Sequence, residues 1–359
     1  MEINKKSLEM IEALANAKAP SGFEDETVAV ARAYTQDNFD VEEDKLRNFY
    51  IKRRKNSGDK PLLMLDAHSD EVGFMVHSIR PNGLIRVLDL GRWTNSTLPA
   101  SKVKVKTSTG EWISGIFVNI PAHFRKGTGS NGEPAISELS VDVGARSLEE
   151  ARDVFHIRMG DPIVPATRFE FDEKNHLMFG KAFDCRIGCA ALIETMNRIK
   201  DLDLNVDVIG VLSSQEEVGE RGCKVSVNHV KPDIALCYEG CPADDTFTEP
   251  YAIQTALRKG PMFRHMDVSA INSPRLQRFI LDLAHEKNLD VQESVREGGG
   301  NDAAVIQTSL QGIPAVTAGV PVRYIHAMNC IASYEDMEKT VAIIVETLKN
   351  MNKEVIDSL

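Results

Sequence analysis

Two histidines and five carboxylates stand where apolar segments of this chain give way to polar ones. They are His68 and Asp70 in DAHSDEVG, Asp184 in KAFDCRIGC, Glu216 and Glu217 in VLSSQEEVGERG, Glu239 in LCYEGCPADD and His326 in VRYIHAMN. In extended chain residues i and i+2 share a face, so Asp70 falls beside His68. A carboxylate there fixes the imidazole tautomer and raises its basicity, as a metal ligand requires. Glu216 and Glu217 are like charges side by side at the end of a buried strand. A cation removes their repulsion and divides the work: one carboxylate binds the ion and the other accepts a proton from water beside it. Imidazole nitrogens and carboxylate oxygens suit Zn²⁺, Co²⁺ or Mn²⁺, and a carboxylate shared between two ions would set them roughly 3.5–4 Å apart.

Taken singly, each signal has a plainer explanation. His68 with Asp70 reads equally as a satisfied histidine at a strand end, Asp184 as an acidic residue favoured by a helix N-terminus, and Glu216 with Glu217 as a solvated acidic turn. Their common placement carries more weight. Of nine histidines only His68 and His326 follow apolar strands with loop residues behind them, and ligands of open α/β sheets gather at one end of the strands.

The elements that must position these residues follow from periodicity. Ser7–Ala15 reads as an amphipathic helix, Ala19–Glu26 as a break, and a second helix runs on to about Asn38. Pro61–Val76 reads as a buried strand, a turn and a second strand. From about Val72 to Pro165 the pattern changes to short alternating runs separated by Gly, Pro and Asn, with one helix at Ser147–Phe155, N-capped by Ser147 and closed into a capping box by Glu150. After Pro165 strands and helices alternate again: helices at Arg186–Lys200 and Pro274–Asn288, strands at Val206–Ser214, Pro232–Gly240 and Gly312–Val320, and a long C-terminal helix over Ser333–Lys353. This predicts a three-layer α/β/α domain made of residues 1–71 and 166–359, with a small β-rich domain, 72–165, inserted into it.

The chain has 359 residues, enough for two domains. Its 42 Lys and Arg against 53 Asp and Glu give a formal net charge of −11, which argues against general binding to nucleic acid or to an anionic membrane and not against cations. No stretch is apolar enough to span a membrane and no secretory pattern is visible, so a cytoplasmic protein is expected. The spacings Cys185/Cys189 and Cys237/Cys241 admit a structural four-cysteine zinc site, although small buried thiols account for them as well. The glycine-rich turn Arg296–Val305 lacks the Lys-Ser/Thr of a phosphate-binding loop, and the short basic loop Arg125–Gly129 reads as solvated.

PSGFEDE, DAHSDEVGF, FDCRIGC, SSQEEVGERG, GGGNDAAVI and VRYIHA, in this order along nearly the whole chain, resemble the dimetal aminopeptidases of the tetrahedral (TET) type, which include glutamyl and deblocking aminopeptidases. The resemblance implies that His68, Asp184, Glu217, Glu239 and His326 surround two divalent ions with Asp184 shared, that Asp70 orients His68, and that Glu216 is the general base. Where this chain has Glu239 the family more often has Asp. The resemblance further implies peptide substrates, and an inserted β-rich domain through which dimers form and assemble into a hollow dodecamer. The rivals are a metal-dependent deacylase on the same scaffold, a glycoside hydrolase using paired carboxylates, and a non-catalytic peptide-binding protein. The second needs no histidines and would stack sugars on aromatic residues, of which only two are Trp; the third needs no base.

Overall fold

The near-continuous apolar run Leu62–His68 becomes a strand buried on both faces at the centre of the molecule, as parallel strands covered by helices require. In the computed structural model, which describes residues 3–124 and 133–359, it pairs in parallel with Asp207–Ser213 on one side and with Ile234–Pro242 on the other, and Ala315–Arg323 continues the parallel set. Antiparallel strands extend this core at both edges. Phe49–Lys52 and Asp40–Glu43 lie beyond Asp207–Ser213, while Cys330–Ser333, Leu177–Gly180 and Glu170–Asp172 lie beyond Ala315–Arg323. The basic loop Arg125–Gly129 lies outside the described residues.

Strand alternation sends side chains into two separate cores. Leu63, Leu65 and Ala67 pack with the helices Lys5–Asn16, Asp25–Thr35, Phe183–Ile199, Pro274–Glu286 and Tyr334–Asn350. Met64, Val211 and Cys237 point the other way, against Arg221–Val230 and the short helix Ala303–Gln307. The sheet is therefore the middle of three layers, as the alternating pattern predicts. Cys185 and Cys189 belong to the first core and Cys237 to the second, so the two cysteine pairs face away from each other. All six cysteines are unpaired and buried, and the four-cysteine site is not formed: the sheet itself separates the thiols.

The short alternating runs after Val72 close on themselves. Gly73–Ile79, Ile85–Leu90, Ser140–Asp142, Trp112–Phe117, Lys102–Lys106 and Pro162–Pro165 form a six-stranded closed barrel around Phe74, Val87, Val103, Phe117 and Ile163. Met328, from the far end of the chain, joins that core. Ser147 caps its helix through the Glu150 N–H as predicted, but the Glu150 carboxylate turns outward to accept the Arg146 N–H at 2.7 Å and to pair with the Arg146 guanidinium. The expected reciprocal box is thus replaced by an ion pair one residue earlier.

Three further differences have local causes. The strands Met262–Met266 and Gln292–Val295 do not show in the sequence pattern: at five and four residues they are too short for periodicity to register. The C-terminal helix stops at Asn350, because Asn352 accepts the Val355 N–H and starts a new short helix, Lys353–Asp357. The helix expected from Arg186 begins at Phe183, with Asp184 and Cys185 departing from helical dihedrals in its first turn.

The segment Ala17–Glu24 is laid across the end of the sheet by buried charge. Glu71 forms hydrogen bonds with Lys181 at 2.6 and 2.7 Å and lies 3.6 Å from Arg186. Lys181 and Arg186 in turn donate to the carbonyls of Leu14, Ala17 and Ala19. Glu71 itself accepts the Ala19 N–H at 3.1 Å. Pairing and hydrogen bonding offset the cost of burying these charges, and this network fixes the chain at Ala17–Ala19 against the strand that carries His68.

Candidate active site

All seven residues singled out in the sequence meet at the carboxyl ends of the parallel strands. His68 ends its strand opposite Ser213, and Glu216 and Glu217 occupy the turn that follows Ser213. Glu239 lies within Ile234–Pro242 and His326 three residues beyond Ala315–Arg323. Asp184 is brought in by close backbone packing. A Cβ on Gly240 would stand 2.4 Å from the Phe183 carbonyl oxygen and 2.8 Å from the Asp184 Cα, so only glycine next to Glu239 lets the Asp184 backbone approach.

Asp184 is the geometric centre. Its Oδ1 lies 3.0 Å from His68 Nε2 and its Oδ2 3.3 Å from His326 Nε2. Glu217 Oε2 is 3.4 Å from His326 Nε2, Glu239 Oε2 is 3.8 Å from His68 Nε2, and Glu216 Oε2 is 3.9 Å from the same nitrogen. Two donor sets therefore overlap, His68–Asp184–Glu239 and Asp184–Glu217–His326, each with its ligand atoms within 4.8 Å of one another. His68 Nε2 also belongs to a third grouping, with Glu216 and Glu217. The Cys185 thiol falls into the first set, but burial, and then the charge of Glu239, push its pKa well above that of an ordinary thiol, and it donates to the Tyr238 carbonyl. As a protonated thiol it is a poor ligand.

Asp70 lies beneath the cluster and holds it in shape. Its Oδ1 accepts the Glu216 N–H at 3.0 Å and its Oδ2 the Glu217 N–H at 3.2 Å and the Ser21 hydroxyl at 2.6 Å. Its Oδ1 also stands 3.4 Å from His68 Nδ1, close enough for charge attraction but not aligned as a hydrogen bond. Burial opposes its ionisation, yet the close imidazole of His68, with the Ser21 hydroxyl and the Glu216 N–H, outweighs it and holds the carboxyl below its usual range.

The electrostatics suit cations. Burial, then the charges of neighbouring carboxylates, push Glu216 and Glu239 well above the usual carboxylic range, and Glu217 rises to about 7. Burial works against a charged His326, but Glu217 and Asp184 pull its pKa up to about 9. Asp184 is held well below the usual range because the hydrogen bonds of His326 and His68 overcome its burial. Four carboxylates crowded around two imidazoles, with Glu217 Oε1 buried and without a hydrogen-bond partner, form a donor set that two divalent cations fit.

Residues outside the sequence reading complete the site. Behind His68, the Ser213 hydroxyl lies 2.6 Å from Asp302 Oδ2 and 3.5 Å from Asp66 Oδ2. Asp66 carried a signal: it shares the face of His68 and Asp70 by the same i, i+2 rule, and it is a charge inside an apolar strand. In front of the cluster a cavity of about 650 Å³ is walled by Arg264, Arg296, Glu220 and the glycines Gly298–Gly300. Gly91, which follows a barrel strand, packs against Glu217: at φ +81° its missing Cβ would stand 3.2 Å from Glu217 Oε2.

The family model described as M42 glutamyl aminopeptidase matches residues 48–343. The chain is similar to the glutamyl aminopeptidase of Lactococcus lactis, at 31 % identity over 96 % of this chain and 97 % of the relative. Its fold is similar to the TET aminopeptidase of a marine-sediment Thaumarchaeota archaeon, with a TM-score of 0.93, 33 % identity and 99 % of each chain covered. It is also similar to the Pyrococcus horikoshii TET1 peptidase, which can assemble into a tetrahedron or a large octahedral shell, with a TM-score of 0.86, 26 % identity, and 96 % of this chain and 100 % of that one covered.

Proposed function

The chain belongs to the M42 glutamyl aminopeptidase family, and from that premise we propose which of its residues carry out the reaction. It is a metallo-aminopeptidase, a hydrolase that removes the N-terminal residue of a peptide. The observation that carries the residue assignment is the pair of overlapping donor sets with Asp184 common to both. In our reading His68 and Glu239 would hold one divalent ion and Glu217 and His326 the other, with Asp184 a donor to both.

Two divalent ions held there would supply Lewis acidity for the scissile carbonyl and would lower the pKa of a bound water. The rest is done by side chains. Glu216 takes the proton of the attacking water on a carboxylate oxygen, holds it while the tetrahedral carbon forms, and delivers it to the departing nitrogen. Asp70 keeps that carboxylate in place through the Glu216 N–H and fixes His68 from behind. The acidic side chains of the cavity attract the free α-ammonium of the substrate, and the walls of Arg264, Arg296 and Gly298–Gly300 enclose the first side chain.

The test is a panel of aminoacyl anilides assayed on metal-stripped protein with Zn²⁺, Co²⁺ or Mn²⁺ added back. Stripping should abolish hydrolysis and at least one of the ions should restore it, with N-acetylated substrates left intact. Undiminished activity without metal, or preferential release of acyl groups, would overturn the assignment. We place the enzyme in the cytoplasm, a reducing compartment in keeping with six unpaired cysteines.

We also propose a large homo-oligomer, a dodecamer built from dimers that meet through the barrel domain. Support comes from the assemblies of the Pyrococcus horikoshii peptidase. Light scattering should return a mass near twelve chains, and a stable monomer at working concentration would contradict it.

A further inference from the structure

Four consecutive peptide N–H groups, from Ser214 to Glu217, are each bound by a side-chain oxygen. Ser214 donates to Asn48 Oδ1 at 2.9 Å, Gln215 to Glu24 Oε1 at 3.2 Å, Glu216 to Asp70 Oδ1 at 3.0 Å and Glu217 to Asp70 Oδ2 at 3.2 Å. The turn they stabilise is not a relaxed one. Gln215 has φ +53°, in the left-handed region that a residue with a Cβ enters only at a cost. The bonds from the side chains hold the chain there.

Glu24 differs from Asp70 in reaching none of the candidate ligands. It is fully buried, and its Oε1 is shared between the Gln215 N–H and the Gly22 N–H at 2.7 Å, while its Oε2 has no hydrogen-bond partner. A buried carboxylate that leaves one oxygen unsatisfied is expensive unless the other serves a purpose. At the start of the helix Asp25–Thr35 the Glu24 side chain makes no cap, and its Oε1 reaches back to Gly22 and across to Gln215. Its one contact across 191 residues of sequence is the peptide immediately before Glu216.

We propose that Glu24 is a positioning residue for catalysis: by pinning the Gln215 peptide in its left-handed conformation it sets where the Glu216 carboxylate stands relative to the bound substrate. This rests on the reading of Glu216 as general base. The role belongs to the Oε1 acceptor and not to the charge, so an amide can fill it. Loss of the pin lets the turn relax and carries Glu216 off line. A base displaced by about 1 Å costs on the order of 10²-fold in turnover and leaves ground-state binding largely alone.

The experiment compares Glu24→Ala, Glu24→Gln and Glu24→Asp. We expect Glu24→Ala to lower kcat by roughly 10–100-fold with KM changed by less than about threefold and with two ions per chain retained. Glu24→Gln should stay within about threefold of the parent, and Glu24→Asp, one methylene too short to reach Gln215, should fall between them. Hydrogen exchange of the segment 211–222 supplies a readout independent of activity. It should quicken at least about tenfold in Glu24→Ala, with the barrel strands unchanged, and stay slow in Glu24→Gln. If Glu24→Ala does not fold, Glu24→Asp decides alone by the same two readouts. Parental kcat in a folded Ala or Asp variant, a Gln variant as impaired as Ala, or unchanged exchange at 211–222 would each overturn the proposal. A parent enzyme inactive on every peptide would sink the functional reading instead, and the exchange comparison would still decide whether Glu24 holds the turn.

Discussion

Glu216→Gln is expected to lower kcat by roughly 10²–10⁴-fold, and by more if the same group also returns the proton to the leaving amine, without loss of metal or fold. The amide has nearly the size of the carboxylate and still accepts a hydrogen bond, but it takes no proton from water at neutral pH. Glu216 is fixed by its own N–H to Asp70, so the side chain can change without moving the turn. Glu217→Gln should behave differently. Its Oε2 stands 3.4 Å from His326 Nε2 within a donor set centred on Asp184, so its replacement should weaken metal binding, and added metal should restore part of the rate. Initial rates and metal content of the two purified variants separate the roles. Equal loss of metal in both would make both carboxylates ligands, and unchanged turnover in both would reduce the pair to an acidic turn.

Asp184→Ala is expected to remove at least one ion per chain and to abolish activity. Each of its two oxygens faces a different histidine, at 3.0 and 3.3 Å, so one substitution takes a donor from both sets at once. Groups that merely orient a ligand cost about 10–100-fold in metal affinity when lost, and a ligand common to two ions should cost at least the upper end of that range. The variant also leaves His68 and His326 without the carboxylate that holds them, so added metal should restore less activity here than in Glu217→Gln. Elemental analysis after dialysis is the measurement. Retention of both ions would end the bridging assignment.

What the sequence discloses about this site depends on contrast. A charged residue in an apolar strand or directly after one is conspicuous, and that is how His68, Asp184, the Glu216–Glu217 pair, Glu239 and His326 stand out. Asp66 has the same contrast and the same face, but it lies inside the apolar run and not at its end, where ligands gather. Glu24 offers no contrast: it sits among polar neighbours in SGFEDE, and only the folded path of Ala17–Glu24 across the sheet reveals its partner. The layered fold is legible because parallel strands bury both faces and read as apolar runs. The shortest strands, three to five residues long, are defined by their partners instead of by their own periodicity. Closure of the barrel is equally invisible locally, since it depends on Gly73–Ile79 meeting Pro162–Pro165 across some ninety residues of sequence.

That closure determines how any further copy can attach. Every strand of the barrel has a neighbour on both sides, so among the described residues no barrel strand is left as an open edge along its whole length. Strand addition at an open edge has no natural end, because each added strand presents the next edge. A closed barrel removes that mode of growth. Contact through it has to be made by fitting one side-chain surface to another, and such contacts are satisfied once the symmetry closes. Where the barrel carries the contacts between copies, the assembly will be closed, and raising the protein concentration will give more shells and not open-ended filaments.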